Sequence, residues 1–144
     1  LFHHPVYSTG SERDNKELRA TLAPLFEKYG VDLVLQGHDH YYGRTGKIFQ
    51  EQIAAADAVA PVYAVSISGP KMYKQNQTFT PLMRRMIGET QLYQILTLSS
   101  RYLTYVCKSM AGEVKDGFTL VKQDKGTVLV EKFLPSARCF CPGR

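Results

Sequence analysis

The feature that most constrains this chain is an apolar run ending in paired histidines. Val31-Asp32-Leu33-Val34-Leu35-Gln36 passes directly into Gly37-His38-Asp39-His40. A short apolar run bounded by turn residues reads as a buried strand. The loop leaving the carboxyl end of such a strand is where open α/β sheets bind ligands and metals. Gly37 gives the backbone freedom to turn sharply, and the two imidazoles can serve one metal or two neighbouring ones. An α/β fold is therefore expected, with this loop at its functional end.

The other two histidines stand at the start of the chain, in Leu1-Phe2-His3-His4-Pro5. This segment reads as the tail of a strand stopped by proline, which has no N–H to give to a ladder. From His3 to Val31 there is room for a loop, a helix and the next strand, the size of a crossover unit. Asp14 with Glu17 reads as a capping box. Leu18, Leu22, Leu25, Phe26 and Tyr29 recur at helical spacing, Pro24 should kink the helix, and Gly30 is the natural stop. If the two strands are parallel neighbours, their carboxyl ends bring His3 or His4 close to His38 and His40. A single histidine at such a place is more often a surface residue, so the weight lies on this convergence.

These residues resemble the calcineurin-like metallophosphoesterases and, within them, the purple-acid-phosphatase-like group. The last two ligand motifs of that family, His-x-Pro at a strand end and Gly-His-x-His one helix later, match His3-His4-Pro5 and Gly37-His38-Asp39-His40. Tyr42 and Arg44 match the continuation of the second motif. The resemblance implies a two-sheet sandwich (α/β/β/α), of which this chain would be the incomplete C-terminal part. It also implies hydrolysis of small-molecule phosphoesters by a binuclear centre of divalent or trivalent metals drawn from Fe, Zn and Mn. His3 and His38 would bind one metal and His40 the other. His4, Arg13, Tyr42 and Arg44 would be supporting or substrate-pocket residues, and Tyr42 and Arg44 would brace the second motif. An extracytoplasmic location, periplasmic or secreted, is implied as well.

The family's remaining ligands come from upstream motifs, among them a bridging aspartate in Gly-Asp and an amide in Gly-Asn-His. Neither Gly-Asp nor Asn-His occurs in this sequence. Three neutral imidazoles cannot hold two hard cations close together without anionic oxygens. The missing N-terminal part of the same protein is therefore expected to supply the carboxylates and the general acid, and the fragment alone is expected to be inactive. The loop after Pro5, where the family often carries further histidines, has none, and offers Glu12 and the phosphate-suited guanidinium of Arg13 instead. Asp39 reads as a solvated loop acid turned away from the site. Two other readings stay open: a catalytically inactive homologue acting as a binding or structural module, and a mononuclear structural metal site.

Composition narrows the partners. The net charge of +5 suits anionic substrates, but the basic residues are scattered, which argues against a nucleic-acid interface. No apolar run approaches the roughly 20 residues of a membrane span. Cys107, Cys139 and Cys141 fit one bridge from Cys107 or free thiols equally well and make no zinc site by themselves.

The rest of the chain reads as architecture, with a domain over 1–134 and a tail over 135–144. Residues 50–61 form a helical turn or an insertion loop. Val62 to Ser66 reads as a strand, and Met83 to Ile87 as a short helical piece. Leu92 to Leu98 and Tyr102 to Cys107 form a hairpin, and Phe118 to Val121 and Val128 to Val130 two further strands about the Asp124-Lys125-Gly126 turn.

Overall fold

In the computed structural model, which describes residues 1–10 and 13–132, helix α1 (Lys16–Lys28) lies on one face of a sheet. Asn15, not Asp14, is its N-cap residue, and it makes no side-chain cap. Its amide donates instead to the carbonyl of Pro5 at 2.7 Å. Asp14 accepts a hydrogen bond from the Arg19 guanidinium at 2.6 Å, which holds its carboxyl below the ordinary range. A cation has thus outcompeted the backbone for this carboxylate, and no capping box forms. The helix ends as expected. Gly30 takes the left-handed conformation (φ 61°), its N–H bonds Glu27 and the next N–H bonds Phe26, a Schellman closure.

The inward helix face is Arg19, Leu22, Ala23 and Phe26, whereas Leu25 and Tyr29 are exposed. Arg19 joins an apolar face because its guanidinium lies 4.9 Å from the Phe79 ring centre and 5.8 Å from that of Tyr7. This helix–sheet core gathers Val6, Tyr7, Ala23, Val34, Ile48, Tyr63 and Phe79.

The sheet beneath α1 contains β1 (Leu33–Gln36), β2 (Tyr42–Phe49), β3 (Gln52–Ile53), β4 (Val62–Val65) and β5 (Met83–Ile87). Its order is β1-β4-β2-β3, with β5 also paired to β2. β1 and β4 are parallel, and the other pairs are antiparallel. The N-terminal segment is not a regular strand. It nonetheless runs beside β1, Phe2 N–H donating to Leu35 at 3.2 Å and Gly37 N–H to His3 at 2.9 Å. Tyr42–Phe49 is a full strand in spite of its two glycines. Two expectations change here: residues 50–61 include the short β3 hairpin arm, and Met83–Ile87 is a strand rather than a helical piece. Edge pairing to β2 decides the last case over the helix propensity of Met and Arg.

The second sheet is the antiparallel meander β6 (Leu92–Leu98), β7 (Tyr102–Ser109), β8 (Val114–Lys122) and β9 (Thr127–Val130). The two sheets share a core of Tyr42, Val62, Ala64, Ile67, Leu92, Tyr105, Cys107, Phe118, Leu120 and Leu129. The layers run helix, sheet, sheet, a partial form of the expected sandwich. Among the described residues no helix is long and apolar enough to cross a membrane. The tail over 135–144 lies outside the described residues.

Candidate metal centre

The loop after β1 and the N-terminal segment meet at one end of the first sheet. The left-handed residue in that loop is His38 (φ 67°), not Gly37. A Cβ on Gly37 would meet its nearest neighbour, His3 Nδ1, at an ordinary 3.6 Å. The sharp turn is therefore carried by the histidine itself, a sparsely populated state for a side-chain-bearing residue.

This turn brings His38 Nδ1 to 2.8 Å from His3 Nε2. One of these nitrogens carries the shared proton and the other accepts it. His4 completes a ring cluster, its centroid 5.2 Å from that of His3 and 4.4 Å from that of His38. His40 stands apart from the three. Its Nδ1 lies 2.8 Å from the carbonyl oxygen of Lys71, which can only accept, so Nδ1 holds the proton. In the neutral ring Nε2 then carries the lone pair, the state in which an imidazole binds a metal while its other nitrogen is held by a carbonyl. The Tyr73 N–H returns a bond to the His40 carbonyl at 3.2 Å. His3, His38, His40, Ser66, Ser68 and Tyr73 line a cleft of about 310 Å³.

Asp39, between the two ligand candidates, is buried, contrary to the expectation of a solvated acid. The residue also lines the cleft, but its carboxylate is bonded to the loop that follows Pro5. One carboxylate oxygen accepts from Ser8 Oγ at 2.6 Å, Thr9 N–H at 2.7 Å and Gly10 N–H at 2.9 Å. The other faces Arg13 Nη1 at 3.4 Å. Among the described residues no group of three or more His, Cys, Asp or Glu is arranged to hold a metal ion by itself. The donor chemistry fits a share of a metal site: neutral imidazole nitrogens suit zinc and iron, and the anionic oxygens are absent from this cluster.

The likenesses to known proteins agree with the fold and the motifs. No family model matches the chain. It is 47% identical over 38 residues to purple acid phosphatase 17 of Arabidopsis thaliana, a match spanning 26% of this chain and 11% of that protein. It is 29% identical over 138 residues to acid phosphatase type 7 of Danio rerio, covering 86% of this chain and 31% of the relative. The chain thus spans a third or less of the curated relatives it matches. The purple acid phosphatase from yellow lupin seeds superposes with a TM-score of 0.70 over 85% of this chain and 24% of its own, at 20% identity. The chain is purple-acid-phosphatase-like.

In this purple-acid-phosphatase-like chain, Tyr42 and Arg44 lie between the sheets and not on the cleft. Tyr42 donates to Asp116 Oδ2 at 2.8 Å. Arg44 grips both Asp116 oxygens at 2.7 and 3.0 Å and reaches Glu131 at 2.9 Å. Burial works against the Arg44 charge, but these carboxylates more than offset it and hold the guanidinium above its ordinary value. Asp116 was not legible as a partner, because it stands on the second sheet far along the sequence. Cys107 is a free, buried thiol, pushed by burial to a pKa of about 11. Cys139, Cys141 and Glu12 lie outside the described residues.

Proposed function

We propose that this chain supplies the histidine ligands of a binuclear metal centre that hydrolyses small-molecule phosphoesters. His3 and His38 would hold one metal and His40 the other, with Fe, Zn or Mn as candidates. The carboxylate ligands and the general acid would come from a part of the parent protein outside this sequence, and an extracytoplasmic location is part of the same proposal. The observation that carries the reading is the meeting of the two strand-end motifs, His3 Nε2 against His38 Nδ1 at 2.8 Å. The metals, when bound, would polarise a phosphoryl oxygen and lower the pKa of water. The chain's own part is to hold the rings in place: Lys71 keeps the His40 proton on Nδ1, and the left-handed turn at His38 brings its ring against that of His3.

The test is zinc binding by the full chain, purified without a histidine tag, beside His38→Ala/His40→Ala. The expected result is weak uptake by the wild type, reversed by mild chelation, and at least tenfold weaker uptake by the double variant. Two metals held through purification would overturn the claim that carboxylates from elsewhere are needed. Equal uptake by both proteins would overturn the ligand assignment.

A further inference from the structure

We propose that Asp39 is a positioning residue for the metal ligands, a latch that fixes the His38–His40 loop from behind. The inference rests on the reading of His3, His38 and His40 as ligands and adds a role for the residue between them.

The geometry is specific. An ionised carboxylate accepts hydrogen bonds only, and one oxygen of Asp39 takes three, from Ser8 Oγ, Thr9 N–H and Gly10 N–H. All three donors belong to the loop that follows His3-His4-Pro5. The side chain is fully buried, so these bonds act in a low-dielectric setting where they are stronger and costly to lose. Gly10 is matched to the latch: a Cβ there would stand 3.1 Å from the Asp39 carboxyl carbon and 3.2 Å from the oxygen that faces Arg13. Thr9 adds a second tie, its hydroxyl donating to the carbonyl of Tyr41, and its carbonyl accepts from the N–H of Asn76 at 2.8 Å. The two ligand loops are thus joined behind the cleft by contacts independent of the histidines. Backbone clamped at residue 39 restricts residues 38 and 40, which is how an outer partner sets the aim of a ligand.

Zinc affinity by chelator competition, thermal midpoint and long-range ¹H–¹⁵N spectra of the histidine rings would be measured on the full chain. Asp39→Ala is expected to weaken zinc binding about tenfold, the lower end of the cost of losing a partner bonded directly to a ligand. Asp39→Asn keeps a carbonyl oxygen for the Thr9 and Gly10 N–H groups and is expected to lie within about threefold of wild type. Leu129→Ala, in the inter-sheet core away from the latch, controls for stability. It is expected to lower the midpoint with zinc affinity unchanged. Asp39→Ala that folds and binds zinc like the wild type would overturn the proposal. So would Leu129→Ala weakening zinc as much as Asp39→Ala. If the wild type takes up no zinc, the ligand reading fails and the ring spectra decide the latch. His40 is expected as the single Nδ1–H tautomer in the wild type and as a tautomer mixture in Asp39→Ala. Unchanged ring spectra in Asp39→Ala would refute it.

Discussion

Two polar clusters stand at the ends of one short stretch, residues 38–44, and they are built on opposite terms. Between the sheets, Tyr42, Arg44 and Asp116 close on each other: Asp116 accepts from the Tyr42 hydroxyl, from two Arg44 nitrogens and from the Gly117 N–H. At the sheet's end, His3 and His38 share one proton, and His40, one nitrogen bonded to the Lys71 carbonyl, lines a cleft. A polar group satisfied on all sides is architecture, since nothing further can bind it. A group whose lone pair faces open space is available for chemistry. The same motif supplies both, and only partner geometry tells them apart.

Asp116→Ala should give the largest effect. It removes two of the three carboxylate bonds of the Arg44 guanidinium, whose side chain is 3% exposed, and leaves only the half-exposed Glu131 to hold the charge. Removing one partner of a buried pair costs about 3–5 kcal/mol, read as a fall in the urea midpoint. Arg44→Met combined with Asp116→Leu should lose much less than the sum of the singles, because neither charge is then left uncompensated. His38→Ala/His40→Ala should move the midpoint far less than Asp116→Ala. Equal losses from the two ends would break the comparison, since the histidine cluster would then be structural.

Tyr42→Phe comes next. It removes one hydroxyl bond to a carboxylate and leaves Arg44 in place, for a cost of about 1.5–3 kcal/mol at the upper range of hydrogen bonds. Zinc affinity should not change, which separates this residue from the site that its motif shares.

The closed band also makes a pH prediction. Burial, its largest cause, raises Cys107 from an ordinary 9.0 to about 11. The folded pKa lies above the unfolded one, so the folded state binds the proton more tightly. That contribution to stability is complete below about pH 9 and is lost as pH rises through 11. Urea midpoints of the wild type should therefore fall across this window more steeply than those of Cys107→Ala. Parallel curves would show a thiol that ionises freely and an inter-sheet core open to water.

How much of this was legible depends on where each signal lives. The helix and its stop were readable because periodicity and Gly30 are local. β1 was readable as a short apolar run. β2 was not, because Tyr42-Gly43-Arg44-Thr45-Gly46-Lys47 mixes glycines with cations, and its buried charges make sense only beside Asp116 and the Thr127 carbonyl that accepts from Lys47. The hairpin at Gln50-Glu51 turns with positive φ at both residues and without glycine or asparagine to announce it. The meeting of His3 and His4 with His38 was legible from the two motifs, and the separation of His40 from them was not. Asp39 was not, since its donors are backbone N–H groups and a serine in another loop, and backbone donors leave no trace in a sequence.

The smallest predicted effect concerns the turn that opens the histidine cluster. His38 holds φ 67°, where a side chain costs about 1–2 kcal/mol and glycine costs nothing. Glycine gives back about 0.5–1 kcal/mol through its greater freedom in the unfolded chain. His38→Gly and His38→Ala both lose the ring and its bond to His3, so their difference isolates the backbone. In a relaxed loop the alanine variant would be the more stable. Here the glycine variant should exceed it by up to about 1 kcal/mol in urea unfolding. A more stable alanine variant would mean that the turn at 38 is not held, and with it the aim of the ring at His3. The expected order would mean that the fold keeps an unfavourable backbone state at the open cluster, while the described strands of the closed one have positive φ at no residue. Of the two clusters, only the one at the cleft holds such a residue, as expected where a strained backbone state positions a binding group.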